Sequence, residues 1–379
     1  MIKGLTGLWL RGLKRASKAQ QSRNKKLIKS LLKPPAKRTK SKTSAVKRKA
    51  VPTPGPTIAS HSAALPGKWI VSYYSYPDQA GALPARRISY WLYLPSTAGA
   101  APMPMVVMLH GCEQTANQLA QGTRMNRLAE AKGFAVLYPQ QSLRGHPHRC
   151  WRWYEKRTQE GRDDVELIVG VIDQVQQKYP IDRTRIYAAG LSAGASMANI
   201  VALHRPDLIA AVGLHSGAVF GAGHSPMGAL SVMQLGSAKL TGPAIRNLVG
   251  KSEPFPKMPA ILIHGQDDKV VRPVNLVQLT QQFRILNDLP AQDRPPAILK
   301  PAKTGNRNRA NAYWVQDHYS GSKLLLRSYE IADLGHAWSG GDCTLKFNAC
   351  AGPDASKMMW DFFARHRRLA PKARETKSL

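Results

Sequence analysis

Ile186-Tyr187-Ala188-Ala189-Gly190-Leu191-Ser192-Ala193-Gly194-Ala195-Ser196-Met197 is the stretch that decides how this chain folds. An apolar run over residues 186–189 enters a Gly-x-Ser-x-Gly turn, and the residues after it suit a helix. A short, continuous apolar run bounded by turn residues is the pattern of a strand buried on both faces. In a strand-to-helix turn of this kind the serine backbone is strained and its hydroxyl is lifted above the sheet at a helix N-terminus. Small neighbours are needed on either side. Gly190 and Gly194 meet that need, which makes Ser192 the candidate nucleophile.

The same signals recur outward from this turn. Residues 69–76 and 87–94 alternate enough to be half-buried strands, and 105–109, 134–138, 211–214 and 260–263 are further continuous apolar runs. Residues 324–331 supply a last strand. Helical stretches at 116–132, 163–178, 195–204 and 274–287 separate them, while 221–258 and 290–322 read as irregular insertions near the mouth of a site. Alternating strand and helix argues for an α/β fold whose central sheet is mostly parallel, has about eight strands and carries helices on both faces.

Charge divides the chain differently. Of 55 Lys and Arg residues, 18 precede the first acidic residue, Asp78, which leaves 37 against 23 Asp and Glu. Residues 1 to about 33 place Ile2, Leu5, Leu8, Trp9 and Leu13 among basic residues at helical spacing, as a surface-binding amphipathic segment does. The stretch from Pro34 to about Pro66 has the Lys/Pro/Ser/Thr composition of a disordered linker. The expected organisation is therefore a basic, largely disordered tail over 1–66, a catalytic domain over 67–370 and a basic C-terminal tail over 371–379. Such a tail favours anionic surfaces or polymers without reading a nucleic-acid sequence. The alternative is a solvated tail with no specific partner.

No run approaches the roughly 18 apolar residues that cross a bilayer, and the apolar run starting at Gly4 is broken at Arg11, which makes a poor signal peptide. Cys112, Cys150, Cys343 and Cys350 form no zinc spacing, so neither metal nor organic cofactor is expected. The short interval from Cys343 to Cys350 invites a local bridge and leaves Cys112 with Cys150. Two bridges imply an oxidising compartment; four buried thiols in a cytosolic enzyme are the competing reading.

A serine hydroxyl needs a base, and histidine held in one tautomer by a carboxylate is the common arrangement. In the α/β-hydrolase fold the order along the chain is serine, acid, histidine. His336 stands between glycines in Leu334-Gly335-His336-Ala337-Trp338-Ser339-Gly340-Gly341, just past the last strand, whereas His264 ends a strand, His204 lies within a helix and His366 in a basic terminal run. For the acid, the loop after the strand at 260–263 offers both Asp267 and Asp268, and spacing does not separate them. A developing oxyanion needs two fixed N–H donors. Ala193 follows the nucleophile, and Cys112 lies in the loop His110-Gly111-Cys112 after the strand at 105–109.

Together these motifs resemble the esterase family named for polyhydroxybutyrate depolymerase, which also contains feruloyl and acetyl-xylan esterases. The carriers are Leu109-His110-Gly111-Cys112-Glu113-Gln114, Cys150-Trp151-Arg152-Trp153-Tyr154, the Gly190–Gly194 turn, His264-Gly265 through Asp268, the segment starting at His336, and Gly352-Pro353-Asp354-Ala355-Ser356. The resemblance implies an α/β-hydrolase with Ser192 as nucleophile, His336 as base, Asp268 rather than Asp267 as acid and Cys112 as an oxyanion residue. It also implies an ester substrate, polymeric or small, and an extracellular or periplasmic setting; the lack of a clear signal peptide points instead to the cytoplasm. Trp151, Trp153 and Trp338 are candidates for an apolar substrate wall, or else core. A non-catalytic surface-binding protein using the basic tail is the reading from another class.

Overall fold

Ten strands form one sheet: β1 (Lys68–Ser75), β2 (Arg87–Leu94), β3 (Met103–Leu109), β4 (Ala135–Gln140), β5 (Ile181–Leu191), β6 (Ala211–His215), β7 (Ala260–Gly265), β8 (Ile298–Lys300), β9 (Tyr313–Ser320) and β10 (Lys323–Ile331). This computed structural model describes residues 65–76, 86–237, 242–250, 255–290, 295–305 and 309–368. The expected amphipathic segment, the linker as far as residue 64 and the tail at 371–379 lie outside the described residues.

The strand order is β1-β2-β4-β3-β5-β6-β7-β10-β9-β8. From β4 through β10 neighbouring strands are parallel, and the flanking pairs β1·β2, β2·β4, β9·β10 and β8·β9 are antiparallel. Strand β3 therefore has its sequence successors on opposite sides, β4 to one and β5 to the other. That reversal is a switch point, and crevices open there at the C-terminal ends of parallel strands.

The apolar runs explain why helices must cover both faces. Along β3, β4, β5 and β7, successive residues enter two different cores: Met105, Val107, Leu137, Ile186, Ala188 and Leu262 one, and Val106, Met108, Tyr138, Tyr187, Ala189 and Ile263 the other. Helices Asp164–Lys178, Ala193–His204 and Val274–Leu286 contribute to the first. Helices Ala116–Thr123, Met125–Lys132 and Ala355–Phe363 contribute to the second.

Three details differ from the sequence expectations. The single helix expected over 116–132 is two, because Arg124 takes a left-handed conformation (φ 55°, ψ 21°) that ends one helix and starts the next. The region 221–258 holds helices Pro226–Leu235 and Gly242–Val249; the first starts on a Ser225 side chain that accepts from Gly228 N–H, with Pro226 at the first turn. The region 290–322 holds β8 and β9, which extend the sheet beyond about eight strands. Most of β9 is only half-buried, so its hydrophobic pattern is weak and its place is fixed by pairing with β10.

Candidate active site

Strand β5 delivers Ser192 to the C-terminal edge of the sheet, where it caps helix Ala193–His204 with φ 57° and ψ −122°. A non-glycine residue in this region is strained and persists only where its surroundings fix it. The flanking glycines act through space. A Cβ on Gly194 would lie 2.0 Å from the Leu109 carbonyl oxygen, and one on Gly190 would lie 2.5 Å from the Gly194 carbonyl carbon. The turn packs backbone against backbone, and Ser192 N–H donates to the His215 carbonyl of β6 at 2.9 Å.

The loop after β3 lies against the serine: a Cβ on Gly111 would sit 3.4 Å from Ser192 Cβ. Buried His110 organises this loop. Its Nε2 accepts from Gln141 N–H at 3.1 Å, which requires the proton on Nδ1, and Nδ1–H donates to the Gly111 carbonyl at 2.8 Å. Gly111 N–H in turn donates to Gln114 Oε1 at 2.9 Å. Burial, foremost, pushes the His110 imidazole down to about 4, so it stays neutral and keeps that tautomer. The next residue, Cys112, is bridged to Cys150, and Cys343 is bridged to Cys350. Both expected pairings are present, and the reading of four free thiols is set aside.

Across the sheet, Asp268 is buried on the loop leaving β7. Its Oδ1 accepts from the N–H groups of Val270 and Val271, both at 2.9 Å, and its Oδ2 accepts from His336 Nδ1 at 2.8 Å. Burial alone would push this carboxyl up; the bond to His336, the charges of His336 and His264 and the Val271 amide outweigh it and hold the group below the ordinary range. Asp267, by contrast, is exposed. With Nδ1–H bonded to a carboxylate, the neutral His336 ring carries its lone pair on Nε2.

Asp268 and His336 are thus brought together, and the Ser192 hydroxyl makes no hydrogen bond to that imidazole in this structure. The two halves meet through His215. Its carbonyl holds Ser192 N–H, and its ring Nε2 accepts from Ser339 N–H at 3.2 Å, three residues beyond His336. Desolvation pushes His215 down to about 3, and Trp338 stacks on it with ring centroids 5.2 Å apart. His264 donates from Nε2 to the Val271 carbonyl at 2.7 Å, bracing the loop that carries Asp268.

Of the remaining candidates, Ala193 provides the first N–H of its helix, a group with no intrahelical acceptor. The tryptophans fall inside the protein: Trp151 and Trp338 are 0% exposed and Trp153 is 4% exposed. A ring shut off from solvent has no face for a substrate, so here they are packing residues; Trp151 lies against His110 with centroids 5.4 Å apart. Sequence reasoning passed over the supporting histidines His110 and His215. Their signal was a polar residue directly ending or following an apolar strand, where a buried ring must find partners.

Fold and site define the class as an α/β-hydrolase. Residues 88–293 match the family described as Esterase PHB depolymerase, a span that contains Ser192 and Asp268 and stops short of His336. The chain belongs to that family. It is 32% identical over 189 residues to poly(3-hydroxyalkanoate) depolymerase C of Paucimonas lemoignei, covering 48% of this chain and 45% of that protein. It is 30% identical over 244 residues to feruloyl esterase B of Thermothelomyces thermophilus, covering 62% and 78%. A probable acetylxylan esterase A of Neosartorya fischeri is 27% identical over 190 residues, 47% and 50% of the two chains. The match thus spans about half the length of the first and third of these relatives. Among solved structures, the acetyl xylan esterase from Aspergillus awamori superposes with a TM-score of 0.58 at 19% identity, over 78% of this chain and 99% of that one, a likeness of fold.

Proposed function

We propose that this protein is a serine esterase in which Ser192 is the nucleophile, His336 the general base and Asp268 the acid that orients it. The observation carrying this reading is the buried Asp268–His336 hydrogen bond, formed at the same sheet edge as the strained Ser192. In free enzymes the serine–histidine bond is often long and tightens only with substrate. His336 Nε2 takes the Ser192 proton as Oγ adds to the ester carbonyl carbon, and the resulting oxyanion lies against the N–H groups of Ala193 and Cys112. The imidazolium then protonates the departing alcohol. Water repeats the sequence on the acyl-enzyme, with His336 as base, and releases the acid.

The Cys112–Cys150 bridge anchors one of the two donors and favours an oxidising compartment, extracellular or periplasmic. Among the described residues no helix is long and apolar enough to cross a membrane. The relatives act by name on polyhydroxyalkanoate, feruloyl and acetylxylan esters, and the substrate here belongs to that range. Turnover of p-nitrophenyl butyrate, methyl ferulate, acetylated xylan and polyhydroxybutyrate by the wild type and by Ser192→Ala tests the proposal. A loss of several orders of magnitude with unchanged folding is expected; full activity in the variant refutes it.

A further inference from the structure

A cleft on the far side of β3 from Ser192 is lined by Arg86, Arg87, Arg144 and Arg152 around Gln141 and Gly145. Its position follows from the sheet. The antiparallel register pairs Ser89 of β2 with Gln140 of β4, so Arg87 and Arg86 emerge where β4 ends, at the edge to which β5 brings Ser192. Only β3 separates β4 from β5, and at roughly 4.8 Å per strand the cleft lies about 10–15 Å from the serine.

The arginines are held ready. Arg86 reaches Asp163 and Asp164, each at 3.2 Å, and Arg152 spans Glu155 at 3.5 Å and Asp164 at 3.8 Å. Buried Asp164 also accepts from Gln141 Nε2 at 2.9 Å and from Arg152 N–H at 3.1 Å, which ties the floor of the cleft together. The guanidinium of Arg87 rests 3.3 Å from the centroid of the Tyr73 ring. The acids beside the cleft, Asp163, Asp164 and Glu155, are taken up by Arg86, Arg152 and Arg157, so the charge left for a ligand is that of Arg87 and Arg144, neither of which has an acidic partner among the described residues. Planar, always-charged donors in this arrangement suit a carboxylate. The same Gln141 donates its N–H to His110, the ring that fixes the candidate oxyanion loop, so cleft and site share a wall.

We propose that this arginine cleft is a carboxylate-binding subsite for a substrate extending from the ester at Ser192, and this rests on the esterase reading above. Two substrate chemistries supply a carboxylate at that reach: the free acid end of a short oligoester, and a uronic acid on an esterified oligosaccharide. Only one needs to fit.

The test compares each acid with its neutral primary amide, which ester hydrolysis cannot turn back into the acid: 3-hydroxybutyrate trimer, and a uronate-bearing acetylated xylo-oligosaccharide. The full chain and the exposed-arginine variant Arg87→Gln/Arg144→Gln are used, with melting curves checking the fold. Wild type is expected to prefer at least one acid over its amide through KM, and the variant to lose that preference by roughly three- to tenfold. No preference for either acid, or equal losses on acid and amide, overturns the subsite. Binding of the same four compounds to Ser192→Ala, with and without the arginine changes, reads the cleft without turnover. Acid-selective binding by Ser192→Ala beside a wild type that hydrolyses none of these compounds and no p-nitrophenyl butyrate sinks the esterase reading alone, whereas wild-type turnover with binding blind to the carboxylate sinks the subsite alone.

Discussion

Lowering the pH from 7 to 5 should destabilise the folded protein steeply, because buried histidines, His110 and His215 among them, are kept neutral. His110 and His215 are fully buried, and desolvation, as the largest cause, pushes them down to about 4 and about 3. In the unfolded chain a histidine titrates near 6.5, so below that pH the unfolded state takes up protons that the folded state refuses. Stability is full above about 6.5 and falls as pH drops towards the two folded values. At pH 5 each ring contributes a loss of about 2 kcal/mol relative to pH 7, or about 4 kcal/mol together, against a total of about 5–15 kcal/mol for a typical domain. Asp268 titrates in a lower window, since its depressed carboxyl keeps its contribution until pH falls below the ordinary carboxylate range. The interval from pH 7 to 5 therefore isolates the histidines. Urea unfolding at pH 7, 6 and 5, with disulfides intact, measures the slope, and in His215→Gln the difference between pH 7 and 5 should shrink by about half of that sum. A flat profile, or an undiminished difference in the variant, refutes the claim that these rings are buried neutral.

Asp268→Asn should lower kcat by about 10³- to 10⁴-fold, because an amide no longer fixes the imidazole tautomer, whereas Asp267→Asn, on an exposed side chain, should stay within about twofold. Equal losses would reverse the assignment of the acid. Gly194→Ala forces a Cβ to 2.0 Å from Leu109 O and should cost more than about 3 kcal/mol or prevent folding, while Gly335→Ala, whose Cβ meets nothing within 4 Å, should melt within a few degrees of wild type. Replacing Cys112 and Cys150 together by serine opens a loop spanning 38 residues and should cost about 4 kcal/mol by loop entropy, seen in the urea midpoint, with kcat falling as the Cys112 N–H loses its anchor.

Much of this was legible in the chain because it depends on neighbours in sequence. The buried second half of strand Ile181–Leu191 and the helix Ala193–His204 follow from the apolar run over 186–189 and a Gly-x-Ser-x-Gly turn, and the buried strands β3, β4, β6 and β7 from the same kind of run, whereas the polar start of that strand, Asp182-Arg183-Thr184-Arg185, carries no such signal. Where local signals compete, reading was poorer. Arg124 breaks a helix that its neighbours favour, and the aromatic strand β9 hides among proline and basic residues and is ordered by β10. The tryptophans show the other limit: composition marks them as large and apolar, but not whether a ring turns to a cleft or to the interior.

By itself the sequence determined the buried strands of the parallel sheet and the tight turn that holds Ser192, since periodicity and turn chemistry act over a few residues. Only the tertiary structure decided that Asp268 is buried against His336 while Asp267 faces solvent, that His110 and His215 hold the loops beside Ser192, and that four arginines gather around Gln141. Those outcomes depend on which strands lie side by side, and adjacency in the sheet is set by the packing of two cores rather than by any interval along the chain.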